Sequence, residues 1–94
     1  MGFLSFSNVG ISGITAAVPR HVINNYEYDL YFNKDDIKEV VDKIGVKERR
    51  FADENTCSSD LCFAAAEKLL TGMQIDRDDI ELLIFISQTP DYRM

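Results

Sequence analysis

Two cysteines are the strongest candidates for covalent chemistry in this 94-residue sequence. Cys57 lies just before a predicted helix, and a helix N-terminus can lower the pKa of a thiol and make its sulfur nucleophilic. A loop thiol without a function is the favoured alternative. Cys62 lies on the apolar stripe of the same helix and is predicted to belong to the core. Their spacing matches neither a CxxC redox motif nor a zinc site.

The basic residues form one concentration in an otherwise acidic chain: Lys43, Lys47, Arg49 and Arg50. Such a cluster could bind a phosphate-bearing cofactor, because Lys and Arg match phosphate in charge and geometry. Pairing with Glu48, Asp53 and Glu54 is an equal alternative. The single histidine, His21, follows Pro19-Arg20, and a solvent-facing position is favoured over a role as general base.

Other polar motifs carry weaker signals. Asp91 and Tyr92 follow an apolar run, where functional loops are common, although a turn role after Pro90 is slightly favoured. Gly10 and Gly13 do not form a dinucleotide-binding fingerprint, and no phosphate-loop lysine motif is present.

Composition restricts the possible partners. A net charge of −6 without a basic stripe argues against a nucleic-acid partner and against binding to an anionic membrane. The longest apolar run, Leu82 to Ile86, is far short of the ~20 residues needed to cross a bilayer. Together with unpaired cysteines, this predicts a soluble cytoplasmic protein with reduced thiols. A hydrophobic content of 46% excludes disordered and low-complexity classes.

Periodicity predicts the elements that would position these residues. A strand is expected over 8–18 and a helix over 34–44, capped by Asn33 and ended by Gly45. A second helix is expected over 59–71, with Ser58 as its cap and Gly72 as its stop. The run Leu82–Ile86 has no polar alternation and is expected to be a strand buried on both faces of an α/β sheet.

This set of elements is too small for the predicted sheet, because two or three strands and two helices cannot cover both faces of a central strand. Ligand sites in open α/β sheets form just beyond the carboxyl ends of the strands, and here the sequence stops just beyond Ile86. We therefore expect a piece of a larger enzyme that stops where a site begins. Alone, it should dimerise or form a larger species.

The order of the motifs is similar to the N-terminal segment of β-ketoacyl-acyl-carrier-protein synthase III, in the thiolase-like superfamily. The resemblance extends from about Val9 to the end of the chain. Its motifs are Val18-Pro19, Asn24-Asn25, Ile44-Gly45-Val46-Lys47-Glu48-Arg49-Arg50, Thr56, Ser59-Asp60-Leu61, Ala64-Ala65-Ala66, the stretch from Asp78 to Ile84, and Thr89-Pro90-Asp91-Tyr92. The basic-Glu-Arg-Arg and Thr-Pro-Asp-Tyr elements are fairly specific at this separation.

The resemblance implies an α/β fold in which residues 1–94 form the N-terminal portion of a layered α-β-α-β-α domain. It implies a cytoplasmic homodimer of fatty acid biosynthesis that condenses acyl-CoA with malonyl-acyl carrier protein and releases carbon dioxide. The family's cysteine nucleophile, histidine and asparagine would follow Met94. No catalytic residue is therefore expected within the chain, and neither Cys57 nor Cys62 takes the nucleophile's position. No metal and no tightly bound cofactor are implied.

The resemblance also implies a coenzyme A contact at Lys43, where many relatives have an arginine. The tryptophan that accompanies this arginine corresponds to Glu39, or to Lys38 if a one-residue length difference falls later, and the chain contains no tryptophan. Either the coenzyme is bound in another way or the acyl donor differs.

Other functions remain open. Within the superfamily these are a divergent acyltransferase of polyketide, lipid or surface-polysaccharide biosynthesis, and an enzyme similar to hydroxymethylglutaryl-CoA synthase. Outside it, the chain could be a small non-enzymatic interaction module with an acidic binding face.

Overall fold

The computed structural model describes residues 1–92. Strand β1 (His21–Asn24) leads through a 3-10 turn (Asn25–Glu27) to helix α1 (Lys34–Ile44). Strand β2 (Glu48–Phe51), helix α2 (Ser58–Met73) and a second 3-10 turn (Arg77–Asp79) follow. Within the described range, none of the helices has the length and apolar character required to span a membrane.

Helix α1 has the bounds that its sequence predicts. The Asn33 side chain accepts a hydrogen bond from the backbone N–H of Asp36 at 2.9 Å, which satisfies a free donor of the first turn. Gly45 adopts the left-handed conformation at φ 80°, and its N–H donates to the Val41 carbonyl at 2.8 Å. The inward face of the helix contains Ile37 and Val41, which are the two buried apolar residues of the described range.

The two strands flank α1 in sequence and pair antiparallel, with His21 opposite Phe51 and Asn24 opposite Glu48. The pairing continues beyond β1, because the Asn25 N–H donates to the Lys47 carbonyl at 2.8 Å. Residues 21–24 and 48–51 are thus extended and paired with each other.

Helix α2 is longer than predicted at both ends. Cys57, not Ser58, is the N-cap residue, and the backbone N–H of Cys57 donates to the Asp60 carboxylate at 2.8 Å. Gly72 does not end the helix. The chain leaves the helix at Gln74, which takes the left-handed conformation at φ 53°. Because Ile75 N–H donates to the Leu70 carbonyl at 2.9 Å, the last turn is closed without a glycine.

The prediction of a strand over residues 8–18 and of a buried strand over residues 82–86 is wrong for this chain, since neither segment carries strand hydrogen bonds within the described range. Leu82–Ile86 is also not buried: the exposed fractions run from 45% at Phe85 to 87% at Ile86. The physical reason is that a strand exists only through its neighbours. Both segments instead lie along α2, where the Thr15 hydroxyl donates to the Ala65 carbonyl at 2.7 Å.

Few contacts hold these parts together. The radius of gyration is 18.9 Å, against about 12 Å for a compact domain of this length. Gly13 is one point of close approach, because a side chain there would collide with Leu69 and Met73 of α2. The chain therefore has two loosely connected halves. One is the strand pair with α1, and the other is α2 with its two flanking segments.

Candidate functional site

The predicted coenzyme A contact, Lys43, lies in the last turn of α1 and is exposed. Its Nζ lies 2.6 Å from Oε1 of Glu39, one turn earlier. If the tryptophan position of relatives is Glu39, as the resemblance implies unless it is Lys38, the positions expected to contact coenzyme A form an ion pair with each other. Such an exposed pair contributes little to stability and is easily exchanged, so Lys43 remains available to an incoming anion.

The outer face of α1 has a second polar network centred on Asp42. This carboxylate accepts hydrogen bonds from the Tyr26 hydroxyl at 2.7 Å and from Lys38 Nζ at 3.0 Å. These two hydrogen bonds, from Tyr26 first and then Lys38, hold the pKa of Asp42 below its usual range. The same contact raises the pKa of Tyr26. A shallow groove on this face is lined by Asp35, Lys38, Glu39, Asp42 and Lys43, so carboxylates outnumber ammonium groups there.

The basic residues do not form one patch. Arg49 and Arg50 are adjacent in β2, and successive side chains of a strand point to opposite faces. Arg49 donates to the Asn25 side chain at 2.6 Å, and its guanidinium lies 4.3 Å from the centre of the Tyr28 ring. Arg50 donates to the Pro19 carbonyl at 3.1 Å. Both arginines thus connect strand β2 to the segments on either side of β1.

The alternative interpretation of the basic cluster was that its lysines and arginines pair with nearby carboxylates, and this is wrong. Within residues 1–92, none of its members forms an ion pair with Glu48, Asp53 or Glu54. Asp53 instead accepts hydrogen bonds from Asn55 and Thr56 in the loop before α2. His21, at the start of β1, is exposed as predicted.

A second polar cluster joins the N-terminus of α2 to the loop after the apolar run. The hydroxyl oxygens of Ser58 and Thr89 lie 2.8 Å apart, and the Ser59 hydroxyl donates to the Asp91 carboxylate. Sequence reasoning missed this cluster. The sequence shows two serines at a predicted helix start and an aspartate after a predicted strand. No pattern in the sequence predicts that the helix start and the loop contact each other.

Cys57 lies at the edge of this cluster and is exposed. Partial desolvation, and then the charges of Asp91 and Asp60, raise the pKa of its thiol. These neighbours act against the lowered thiol pKa that a helix N-terminus would give. Cys62 is exposed as well, not buried in a core. It faces a groove between α2 and residues 83–86, which no other segment within residues 1–92 covers.

No other site emerges from the described residues. They contain no group of three or more possible metal ligands. A pocket of about 150 Å³ beside α1 is lined mainly by apolar side chains, among them Tyr28, Phe32 and Val40. The predicted position of a nucleophile, after Met94, lies outside the described residues.

Comparison with a solved structure shows the fold to which these elements belong. The chain matches the crystal structure of a 3-oxoacyl-(acyl-carrier protein) synthase from Burkholderia xenovorans with a TM-score of 0.77 and 42% sequence identity. The match covers 86% of this chain and 24% of that one. The two helices and the strand pair are thus part of a thiolase-like α/β fold, as predicted.

Curated proteins match nearly the whole chain as well. The chain is 40% identical over 92 residues to a Campylobacter jejuni protein assigned as 3-oxoacyl-[acyl-carrier-protein] synthase 3. It is 38% identical over 85 residues to β-ketoacyl-[acyl-carrier-protein] synthase III of Staphylococcus haemolyticus. The chain spans 26% of the length of each. No family model matches. Over nearly all of its residues, the chain is similar to one quarter of a synthase III, which confirms the resemblance.

Proposed function

We propose that this chain serves as the N-terminal portion of a synthase III-type condensing enzyme of fatty acid biosynthesis. In this proposal residues 1–94 form part of one thiolase-like domain, and the nucleophile follows Met94. The complete enzyme would join an acyl-CoA to malonyl-acyl carrier protein with loss of carbon dioxide, in the cytoplasm and as a homo-oligomer. The observation that carries the proposal is the 40% identity over 92 residues to a protein of that name.

The role proposed for the chain is to bind coenzyme A and to position it. Helix α1 offers Lys43 as the cation for a phosphate of coenzyme A, since its present partner, Glu39, is exposed and exchangeable. The surrounding carboxylates oppose a highly charged anion. Binding through Lys43 alone would therefore be weak and strongly dependent on salt.

A hybrid enzyme tests the proposal. Residues 1–92 replace the matching quarter of the Campylobacter jejuni relative, and the product of acyl-CoA and malonyl-acyl carrier protein is measured. We expect condensation above the background of a hybrid with the same residues in scrambled order. A hybrid that is folded and soluble but forms no product would contradict the proposal. Acetyl-CoA and longer acyl donors, compared in the same hybrid, define the donor.

Lys43 is tested within the hybrid. Lys43→Ala should raise the KM for acyl-CoA about threefold or more while kcat changes little, because a binding contact is lost and the reacting atoms are untouched. The matched control is Lys38→Ala, which removes another exposed lysine paired over one turn of the same helix. Equal effects of the two variants would show a general charge effect instead of a contact at Lys43.

The chain by itself should form no acyl-enzyme. Incubation with radiolabelled acyl-CoA should leave Cys57 and Cys62 without label, since the pKa of Cys57 is raised and the nucleophile is proposed to follow Met94. Stoichiometric labelling of either cysteine would overturn this part of the proposal.

A further inference from the structure

The outer face of α1 carries two lysine–carboxylate pairs, and the structure holds them unequally. Lys38 donates to one oxygen of the Asp42 carboxylate at 3.0 Å, while the Tyr26 hydroxyl donates to the other oxygen at 2.7 Å. Both oxygens are therefore engaged, and the Asp42 side chain is 48% exposed. A carboxylate that a second donor already holds loses less side-chain entropy when it stays beside its lysine. Lys38 thus has a fixed partner.

The second pair, Glu39 with Lys43, is held less firmly. Lys43 Nζ donates to Oε1 of Glu39 at 2.6 Å, and within residues 1–92 the Glu39 carboxylate forms an ion pair with Lys43 alone. The Glu39 side chain is 65% exposed. The acid precedes the base by one helical turn, which is the favourable order, so the pair forms without a ligand. Any anion that binds Lys43 must displace Glu39.

This exchange opposes a ligand that carries phosphates and leaves an uncharged ligand unaffected. A displaced Glu39 carboxylate stays in the same shallow groove, which also contains Asp35 and Asp42. Like charges at short range repel each other, so a phosphate meets first a competitor for Lys43 and then the charge of that competitor. A phosphate-free acyl thioester meets neither. Glu39 therefore responds to the charge of the donor and not to its acyl group.

We propose that Glu39 is a specificity-determining residue: it competes with the phosphate of the acyl donor for Lys43 and so lowers the preference for acyl-CoA over a phosphate-free acyl thioester. The inference rests on the proposed function, because that function assigns a phosphate of coenzyme A to Lys43. It is testable apart from that function, since the binding of coenzyme A is measured without condensation.

The test is titration of the 94-residue chain with coenzyme A and, separately, with phosphate-free pantetheine, followed through the backbone amide signals of α1 in nuclear magnetic resonance spectra. In Glu39→Gln the Kd for coenzyme A should fall about three- to fivefold at about 0.15 M NaCl, because the exchangeable pair and its negative charge are both lost. The response to pantetheine should be the same in both chains. The gain should shrink at about 0.5 M NaCl, where salt screens the charges.

Asp35→Asn is the matched control for the loss of one negative charge. Asp35 lines the same groove and forms no ion pair within residues 1–92. It precedes Lys43 by eight residues, or about 12 Å along the helix axis, which exceeds the Debye length of about 8 Å. The Kd for coenzyme A should therefore fall less than about 1.5-fold. Equal gains in Asp35→Asn and Glu39→Gln would show a general effect of charge and overturn the proposal.

A double-mutant cycle assigns the effect to Lys43. In Lys43→Ala the binding of coenzyme A should weaken, and adding Glu39→Gln should no longer strengthen it, because the contact for which Glu39 competes is absent. A gain that persists without Lys43, or no saturable binding of coenzyme A by any of these chains, would refute the proposal.

The hybrid enzyme separates this inference from the condensing function. There Glu39→Gln should lower the KM for acyl-CoA about threefold with little change in kcat, and the KM for the same acyl group on pantetheine should stay constant. A hybrid that forms no product, beside a binding cycle that behaves as expected, would contradict the condensing function and support the role of Glu39. An active hybrid whose KM for acyl-CoA does not respond to Glu39→Gln would contradict the role of Glu39 alone.

Discussion

The hydroxyl oxygens of Ser58 and Thr89 lie 2.8 Å apart and connect the first turn of α2 to a loop 31 residues further along the chain. The following helical residue, Ser59, repeats the connection through its hydrogen bond to Asp91. The Asp91 carboxylate thereby lies near the positive end of the helix dipole, a favourable position for a negatively charged side chain. The contact joins two of the motifs that resemble synthase III, the one at Ser59-Asp60-Leu61 and the one at Thr89-Pro90-Asp91-Tyr92.

Removing both serine hydroxyls should release the loop. In Ser58→Ala/Ser59→Ala the backbone amides of residues 87–92 should exchange with solvent about five- to tenfold faster, because two hydrogen bonds of about 0.5–1.5 kcal/mol each are lost. Hydrogen exchange read by mass spectrometry measures the change, with α1 as internal reference. The control Ser5→Ala/Ser7→Ala removes two exposed hydroxyls near the N-terminus. Unchanged exchange in the loop would show that the hydrogen bonds do not hold it.

Gly13 and Gly10 should respond in opposite ways to alanine. A Cβ at Gly13 would collide with the Met73 sulfur and lie 3.0 Å from Leu69 Cδ1, whereas nothing lies within 4 Å of a Cβ at Gly10. Gly13→Ala should therefore destabilise the chain by about 1 kcal/mol, since both side chains must move. Gly10→Ala should be neutral or stabilise by up to about 1 kcal/mol, because alanine restricts the unfolded chain. Urea unfolding measures both. Destabilisation in Gly10→Ala equal to that in Gly13→Ala would contradict the packing of residues 8–18 on α2.

The correct sequence predictions concern features that a few neighbouring residues determine. The cap at Asn33, the apolar spacing of α1 and the left-handed glycine at Gly45 all act within one or two turns, so the bounds of α1 agree with the prediction. The strands predicted over 8–18 and 82–86 depend on partners that the sequence does not specify. The predicted end of α2 at Gly72 was wrong for a similar reason. A helix can continue through a glycine when a later residue, here Gln74, ends it.

The candidate site was less predictable than the helices. Lys43 could be located from its position in a motif, but its ion pair with Glu39 required knowledge of rotamers on the helix surface. Cys57 was correctly placed at a helix start, yet its pKa is raised first by partial desolvation and then by the charge of Asp91, which comes from the far end of the chain. Contacts between distant segments therefore decide the electrostatics of this site, and periodicity carries no information about them.

The ion pair between Glu67 and Arg77 should make stability depend on pH in the acid range. Arg77 forms two hydrogen bonds to the Glu67 carboxylate, one of them at 2.6 Å, and they hold the pKa of Glu67 below its ordinary value. The stabilisation is present above the unfolded pKa of about 4.3 and is lost as pH falls through the lower folded pKa.

Glu67→Gln should therefore lower the Tm by about 2 °C at pH 7, and the difference from the wild type should shrink below about pH 4 as the wild-type carboxyl group is protonated. Thermal unfolding followed by circular dichroism measures both. Glu81→Gln is the control, since Glu81 forms no ion pair within residues 1–92. A difference that stays constant from pH 7 to pH 3 would exclude the proposed linkage.

Cys57 should become more reactive when Asp91 loses its charge. Partial desolvation raises the pKa of the Cys57 thiol, and the Asp91 carboxylate adds to the rise. In Asp91→Asn the pKa should fall, so alkylation by iodoacetamide at pH 8 should be about two- to fivefold faster, because more of the thiol is ionised. Cys62→Ser in both backgrounds confines the reaction to Cys57. The Ser58→Ala/Ser59→Ala chain separates charge from loop position, since it frees the loop and keeps the carboxylate. If that chain accelerates alkylation as much as Asp91→Asn does, the distance of the carboxylate from the sulfur controls the thiol; if neither variant changes the rate, the electrostatic coupling between Asp91 and Cys57 is refuted.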